Sequence, residues 1–384
     1  MLRLIKRVIR AVYVRLKLLM RIIIYTVCRV IPAGKKGETW VICERGVDAR
    51  DNGYAFYRYV ADNHPQIRLH YLIDPASADY PKVAAHAVAY GSLKNYWVAA
   101  HADKIISTHC YLAIPGLTER VWHMLGLHRR FCFLQHGIIQ SRLPYLFGDR
   151  TRMRLFCCAG RPEYEYLKEN FRHPQGVVQC TGFARYDQLL PFETKKQILV
   201  MPTWRRYLKD ERAFLDSTYY AAWNALLSDQ RLIDYLEKTG TQLLFYPHYE
   251  MQSKLLHFSS SSPCVVLADF AHYDVQQLLK ESQLLITDYS SVYFDFAYMQ
   301  KPIVYYQFDD EEYHRQHYQE GYFDFSLHGF GDVVRTQDAV VNSILRSAGN
   351  GFRMEELYCG RTQTFFAYRD RDNCRRIFDA VIGL

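Results

Sequence analysis

Short apolar runs along the chain alternate with longer stretches whose apolar residues recur every three or four positions. The runs Thr39–Cys43, Arg68–Ile73, Lys104–Thr108, Phe131–Gln135, Leu155–Ala159 and Val177–Cys180 predict strands. Helical spacing predicts helices over Asn52–Asp62 and Arg161–Phe171, the latter with Pro162 in its first turn. A second series follows, with strands at Gln197–Met201, Gln242–Tyr246, Cys264–Leu267, Leu284–Thr287 and Pro302–Tyr306. Its helices are predicted at Leu215–Lys238, Tyr273–Glu281 and Ser290–Tyr298. Strands alternating with helices imply parallel sheets covered on both faces. A break near residues 190–196 predicts two Rossmann-like α/β domains facing across a cleft, over residues 38–190 and 191–384. The last helices are candidates to cross back to the first domain.

Charge sharpens this picture at one end. Residues 1–32 carry Arg3, Lys6, Arg7, Arg10, Arg15, Lys17, Arg21 and Arg29 and no acidic residue. Arg3, Arg7, Arg10, Lys17 and Arg21 follow three-and-four spacing, with Val8, Ile9, Val12, Leu16, Leu19 and Ile23 on the other side. That pattern predicts an amphipathic helix lying on an anionic membrane surface. Its longest charge-free stretch, Ile22–Cys28, is far shorter than the roughly 18 apolar residues of a spanning helix. Residues 1–37 are therefore read as a membrane-association helix and linker, Pro32–Gly37 forming the linker. Of the 48 basic residues, 48 − 8 = 40 remain, which matches the 40 acidic ones, so the body is formally neutral. A nucleic-acid partner is not supported. The 10 cysteines form no CxxC pair and are expected to be reduced thiols, mostly buried.

In open parallel sheets ligands bind beyond the carboxyl ends of the strands. Several strand ends here carry chemistry. His136-Gly137 follows Phe131–Gln135: the imidazole suits proton abstraction, and Gly137 permits an unusual backbone angle or a close approach. Arg185, after Gly182, is placed to meet a phosphate or to pair locally with Asp187. Pro202-Thr203-Trp204-Arg205 brings a hydroxyl and a cation to the end of Gln197–Met201. His248 follows Gln242–Tyr246 and is a candidate donor to a diphosphate. Ser290 and Ser291 follow Leu284–Thr287, Ser290 as an expected N-cap whose helix start binds phosphate. Asp295 shares a helix face with Ser291, where its carboxylate is expected to accept from a donor hydroxyl. No HExxH, Walker A or GxGxxG motif occurs, so metal, nucleoside triphosphate and nicotinamide sites are not expected.

Taken in order, Asp51-Asn52, Gln135-His136-Gly137, Gly182–Asp187, Pro202–Arg205, Pro247-His248 and Ile286–Ser291 with Asp295 resemble the CDP-glycerol glycerophosphotransferase family of teichoic-acid primases and polymerases. The resemblance covers roughly residues 38–330. It implies a GT-B fold with an N-terminal acceptor domain and a C-terminal donor domain. It implies a phosphotransferase that moves glycerol phosphate, or another polyol phosphate, from a CDP-polyol to a lipid-linked or glycan acceptor, releasing CMP. His136 and His248 are then the catalytic residues, His136 the base. Gly137, Arg185, Pro202, Thr203, Arg205, Ser290, Ser291 and Asp295 line the donor site. No cofactor is required; Mg2+ would be the candidate, without a motif to hold it. The setting implied is the cytoplasmic face of the membrane, in cell-surface polymer synthesis. One departure stands out: Ile138-Ile139-Gln140-Ser141 follows His-Gly where the family has Thr-Pro and a basic residue. A nucleotide-sugar glycosyltransferase and an inactive membrane-bound scaffold are the alternatives.

Overall fold

The computed structural model describes residues 2–34, 37–316 and 321–384. Lys35 and Lys36 of the expected linker lie outside the described residues, as do the side chains of Arg3 and Val8. Two parallel sheets organise the chain. The first contains β1 (Thr39–Cys43), β2 (Arg68–Ile73), β3 (Ala87–Ala89), β4 (Lys104–Ser107), β5 (Phe131–Phe133), β6 (Leu155–Cys158) and β7 (Val178–Cys180), in the order β3-β2-β1-β4-β5-β6-β7. The second contains β8 (Gln197–Met201), β9 (Gln242–Phe245), β10 (Val265–Leu267), β11 (Leu284–Thr287), β12 (Ile303–Tyr306) and β13 (Gly331–Val334), in the order β10-β9-β8-β11-β12-β13. These are the two expected Rossmann-like units.

Both faces of each sheet are buried, which explains the near-continuous apolar strands. In β1, Trp40 and Ile42 join Phe56 and Phe378 on one face. Val41 and Cys43 join Tyr25 and Tyr96 on the other. All ten cysteines are free, six of them buried and Cys110, Cys180, Cys264 and Cys359 half-buried.

Some boundaries differ from the periodicity for local reasons. The stretch Leu215–Lys238 is cut into separate helices, because Ser217 caps Thr218–Leu227 through the Tyr220 amide and Asp229 caps Gln230–Thr239 through the Arg231 and Leu232 amides. The strand expected to reach Gln135 stops at Phe133, and Gln135 has φ of 60°. The helix expected from Ser290 begins at Tyr293, with Val292 as its first flanking residue and no side-chain cap. Ser290 therefore does not cap it in the expected way; its hydroxyl only accepts from the Val292 amide at 3.4 Å.

The N-terminal helix α1 (Leu2–Val30) is docked from Leu18 onward. Tyr25 and Cys28 are buried against the core beneath helix Leu93–His101. The Arg29 guanidinium donates to the Ala100 carbonyl at 2.7 Å, and Arg130 donates to the Tyr25 hydroxyl at 2.9 Å. Elsewhere on the helix, Ile9, Val12, Leu16 and Leu19 are exposed, as are Arg7, Arg10, Arg15 and Lys17. Among the described residues no helix is long and apolar enough to cross a membrane.

The chain leaves the second sheet and ends on the first. Helix Asn373–Ile382 buries Ile377, Phe378 and Val381 in the first sheet's core. Asp187 receives the Asn373 and Cys374 amides at 2.9 and 2.8 Å, so it anchors this helix rather than pairing with Arg185. Gly182 has φ of 79°, and a Cβ there would strike the Asn373 side chain. Gly182→Ala is expected to lower stability by about 1–2 kcal/mol from the backbone alone, read as a shift in urea midpoint.

Candidate functional site

Each sheet reverses its strand order once, between β1 and β4 in the first and between β8 and β11 in the second. The turns leaving these strands face each other, and that is where ligands of such sheets bind.

On the first domain, His136 is exposed at the end of the β5 turn. Its Nδ1 lies 3.1 Å from the Thr108 carbonyl oxygen. A carbonyl only accepts, so Nδ1 carries the proton and Nε2 keeps its lone pair for a hydroxyl. His109, at the end of β4, stacks on the ring with centroids 4.4 Å apart and planes within 5°. Burial first, then His136 and Arg45, lower the His109 pKa to about 3, so the stacked neighbour stays neutral. The backbone behind His136 is pinned from within. Buried Glu163 accepts from the Ile139 amide at 2.8 Å, the Ala159 amide at 3.0 Å and the Gln135 side chain at 3.1 Å. Asn52, at the start of α2 (Asn52–Asn63), donates to the Gln135 carbonyl at 3.0 Å and accepts from the Arg185 amide at 3.0 Å. The left-handed backbone sits at Gln135 and not at Gly137. What Gly137 supplies is close approach: a Cβ there would lie 2.7 Å from the Ser291 Oγ of the second domain.

On the second domain, His248 follows β9. Its Nδ1 accepts from the Glu250 amide at 3.3 Å, which puts the proton on Nε2. The two histidines are therefore held in opposite tautomers, one presenting a lone pair and the other an N–H. Burial lowers the His248 pKa to about 4, and its ring stacks on Trp204 at 6.0 Å. Pro202 accepts the His248 amide at 3.3 Å, which joins the β8 and β9 ends. The Thr203 hydroxyl is buried and has no hydrogen-bond partner among the described residues.

Arg205 is not placed to meet a ligand. It is fully buried, donating to both Asp309 oxygens at 2.8 and 3.0 Å and to the Thr203 carbonyl at 2.9 Å, with Asp288 at 2.9 Å. It locks the ends of β8, β11 and β12 together. The exposed cation of that turn is Arg206, 5.9 Å over the Trp204 ring.

Arg185 and Asp295 also differ from expectation, and for one reason: they bind each other. Arg185 donates to the two Asp295 oxygens at 2.7 Å each, to Asp51 at 2.8 Å and to the His136 carbonyl at 3.2 Å. Arg185 is 5% and Asp295 1% exposed, so neither the guanidinium nor the carboxylate faces the cleft. The pair clamps the domains directly behind His136. Gln140 adds a second clasp, accepting from the Tyr293 hydroxyl at 2.6 Å, and Ser141 bridges to Gly321. Ser290 and Ser291 remain partly open at the cleft.

Two residues missed in the sequence belong to this site. His109 follows a predicted strand, so the rule that found His136 reaches it too. Arg45, after β1, stands between the domains: it pairs with Asp48, lies 5.2 Å over the Tyr249 ring, and its charge helps depress both His109 and His248. Among the described residues no three His, Cys, Asp or Glu side chains converge on a metal position.

The depressed histidines have a consequence for stability. In the unfolded chain both protonate near pH 6.5, but the folded chain resists until about pH 3–4. Their contribution is present above pH 6.5 and is lost as pH falls from there toward 4. His109→Gln is therefore expected to flatten the acid side of the urea-midpoint profile relative to the parent protein.

Residues 166–383 match the model of the family described as CDP-glycerol:poly(glycerophosphate) glycerophosphotransferase. The chain is 31% identical to the minor teichoic acid biosynthesis protein GgaB of Bacillus subtilis (strain 168), over 90% of this chain and 40% of that one. It is 24% identical to the teichoic acid poly(glycerol phosphate) polymerase of the same strain, over 79% of this chain and 43% of that one. The chain thus spans less than half the length of these two relatives. The corresponding polymerase of Bacillus spizizenii is 27% identical, over 93% of this chain and 95% of that one. Among solved structures, the wall teichoic acid polymerase TagF superposes with a TM-score of 0.66 at 16% identity, over 100% of this chain and 98% of that one. The UDP-GlcNAc 2-epimerase from Neisseria meningitidis bound to UDP-GlcNAc gives 0.52 at 10%, over 90% and 100%. These structures share the fold.

Proposed function

Because the chain belongs to the CDP-glycerol:poly(glycerophosphate) glycerophosphotransferase family, we propose that it moves glycerol phosphate or another polyol phosphate from a CDP-polyol to an acceptor hydroxyl. The observation that carries this reading is the pair of histidines in opposite tautomers on facing strand ends. His136 Nε2 takes the proton as the acceptor oxygen attacks the β-phosphorus. The bond from that phosphorus to the bridging oxygen breaks, and CMP leaves with the electron pair. His248 Nε2–H donates to a phosphate oxygen, with Thr203, Ser290 and Ser291 supplying hydroxyls and Arg45 and Arg206 supplying charge. Arg185, Arg205 and Asp295 hold this arrangement in place. Family relatives named as glycerol-phosphate and ribitol-phosphate polymerases support the polyol class. Purified protein should release CMP from CDP-glycerol in the presence of a lipid-linked or glycan acceptor. Release of a nucleotide from nucleotide sugars alone would replace this reading with the glycosyltransferase one.

The acceptor is read as membrane-linked, and α1 as its peripheral contact at the cytoplasmic face. The exposed Arg7, Arg10, Arg15 and Lys17 beside exposed Ile9, Leu16 and Leu19 support that. Deleting all of residues 1–32 would uncover the core that Tyr25 and Cys28 cover, so charge substitution is the cleaner test. Arg7→Glu with Arg10→Glu should weaken binding to phosphatidylglycerol vesicles by at least about tenfold, at roughly 1 kcal/mol per cation lost. Unchanged binding would contradict the anchor.

A further inference from the structure

One cationic cavity lies away from the cleft. It sits beside the amino ends of β2 and β3, whereas the cleft opens at the carboxyl ends. Its volume is about 470 Å³, and Arg68, His70, His86 and Lys94 are among its walls, with no acidic residue among the described lining. The register explains the gap. β3 pairs with β2 only from Tyr71 onward, so Arg68, Leu69 and His70 have no strand on that edge. Arg68 and His70 alternate in step with Leu72, which packs in the core beneath helix Leu93–His101. Lys94 arrives from that helix, so the basic groups converge from two elements.

Little inside the protein balances them. Among the described residues neither Arg68 nor Lys94 has an ion-pair partner. His86 is held through Nδ1 by the Tyr57 hydroxyl at 2.9 Å. The His70 Nε2 is buried with no hydrogen-bond partner. Burial, then Lys94, Arg68 and His86, push the His70 pKa down to about 4. Like charges crowded around an unpartnered polar atom are relieved by a bound anion that accepts from several donors.

We propose that this cavity is a second phosphate-binding site, taking a phosphate ester outside the catalytic cleft. Leu72, in step with Arg68 and His70, shares its core with Tyr25 and Cys28 of α1, so the ester is either free or the headgroup of an acidic lipid. The site does not depend on the reaction at the cleft.

The test uses the full chain in saturating CDP-glycerol, so that the donor site is filled, in a His136→Ala background that slows turnover. Glycerol 3-phosphate is titrated calorimetrically, and phosphatidylglycerol vesicles are tested by co-sedimentation against phosphatidylcholine. Arg68→Ala with Lys94→Ala should weaken one or both ligands at least tenfold. Arg68→Lys with Lys94→Arg should retain binding, which separates charge from misfolding. Loss in the glycerol phosphate titration assigns a free ester; loss confined to vesicles assigns a lipid headgroup. Equal binding by parent and double-alanine proteins in both assays overturns the site. With His136 intact, the double-alanine protein should release CMP at the parent rate. Absence of CMP release from the parent protein itself would refute the transferase reading and leave this one standing.

Discussion

Replacing His136 by alanine is expected to lower CMP release from CDP-glycerol by roughly 10²–10⁴-fold, the contribution of a positioned general base. The size follows from how completely the structure commits this ring to one task. Nδ1–H is held by the Thr108 carbonyl, the ring face by His109, and the backbone by Glu163 and Asn52. Nε2 is what remains free. His109 is no substitute: its Nδ1 already bonds the Thr108 hydroxyl at 2.9 Å, and its ring is depressed to about pH 3. Binding of CDP-glycerol should survive the change, because the hydroxyls and charges assigned to the donor come mainly from the second domain. A turnover number that falls while donor affinity holds within about twofold identifies a group acting in the transition state. Loss of both in equal measure would instead mark His136 as a binding residue.

Asp295→Ala is expected to cost about 3–5 kcal/mol of stability, because breaking a buried ion pair strands the remaining charge. Arg185 would keep Asp51, whose side chain is 29% exposed, but would lose both hydrogen bonds to its buried partner. The cost falls on the guanidinium left in a site with 5% exposure. Urea unfolding should show the loss directly. Replacing both partners with Arg185→Met and Asp295→Leu should recover much of it, since no charge is then left buried. If the single variant is as stable as the parent, the clamp between the domains is weaker than its geometry indicates. Activity should also fall in Asp295→Ala, because Arg185 donates to the His136 carbonyl and its release loosens the base.

How far the sequence revealed these features depends on the range of the forces involved. Strands β1, β8 and β11 lie where their apolar runs predict, because each is buried on both faces and its composition leaves one solution; β2 also lies where predicted, although Arg68 is exposed and His70 half-buried. β3 and β13 escaped: one is Ala-Val-Ala and the other opens on Gly331-Asp332, which leaves only Val333-Val334 as a strand signal. His136 and His248 stood out because strand ends are readable. Their tautomers did not, because the Thr108 carbonyl and the Glu250 amide that set them are positions in space. The charged residues were harder still. Arg185 and Arg205 look like ligand groups in a linear text, since nothing near them in sequence offers a full set of acceptors. Their partners Asp295 and Asp309 lie 110 and 104 residues away, and only folding brings them together. Asp187, two residues from Arg185, was the local candidate and instead serves the last helix.

That last helix changes what kind of joint the molecule has. The polypeptide passes from one domain to the other near residues 190–196 and returns before Asn373, with the Ala367 amide bonded to the Ala159 carbonyl on the way. A body tied to another at one point can swivel about it in any direction. Tied at two points, it turns only about the line through them, as a door turns on two pins. The Arg185–Asp295 clamp holds the domains together; were it released, the cleft would open by rotation about this one line. Closing along it would bring the His136 lone pair and the His248 N–H back to the same mutual orientation.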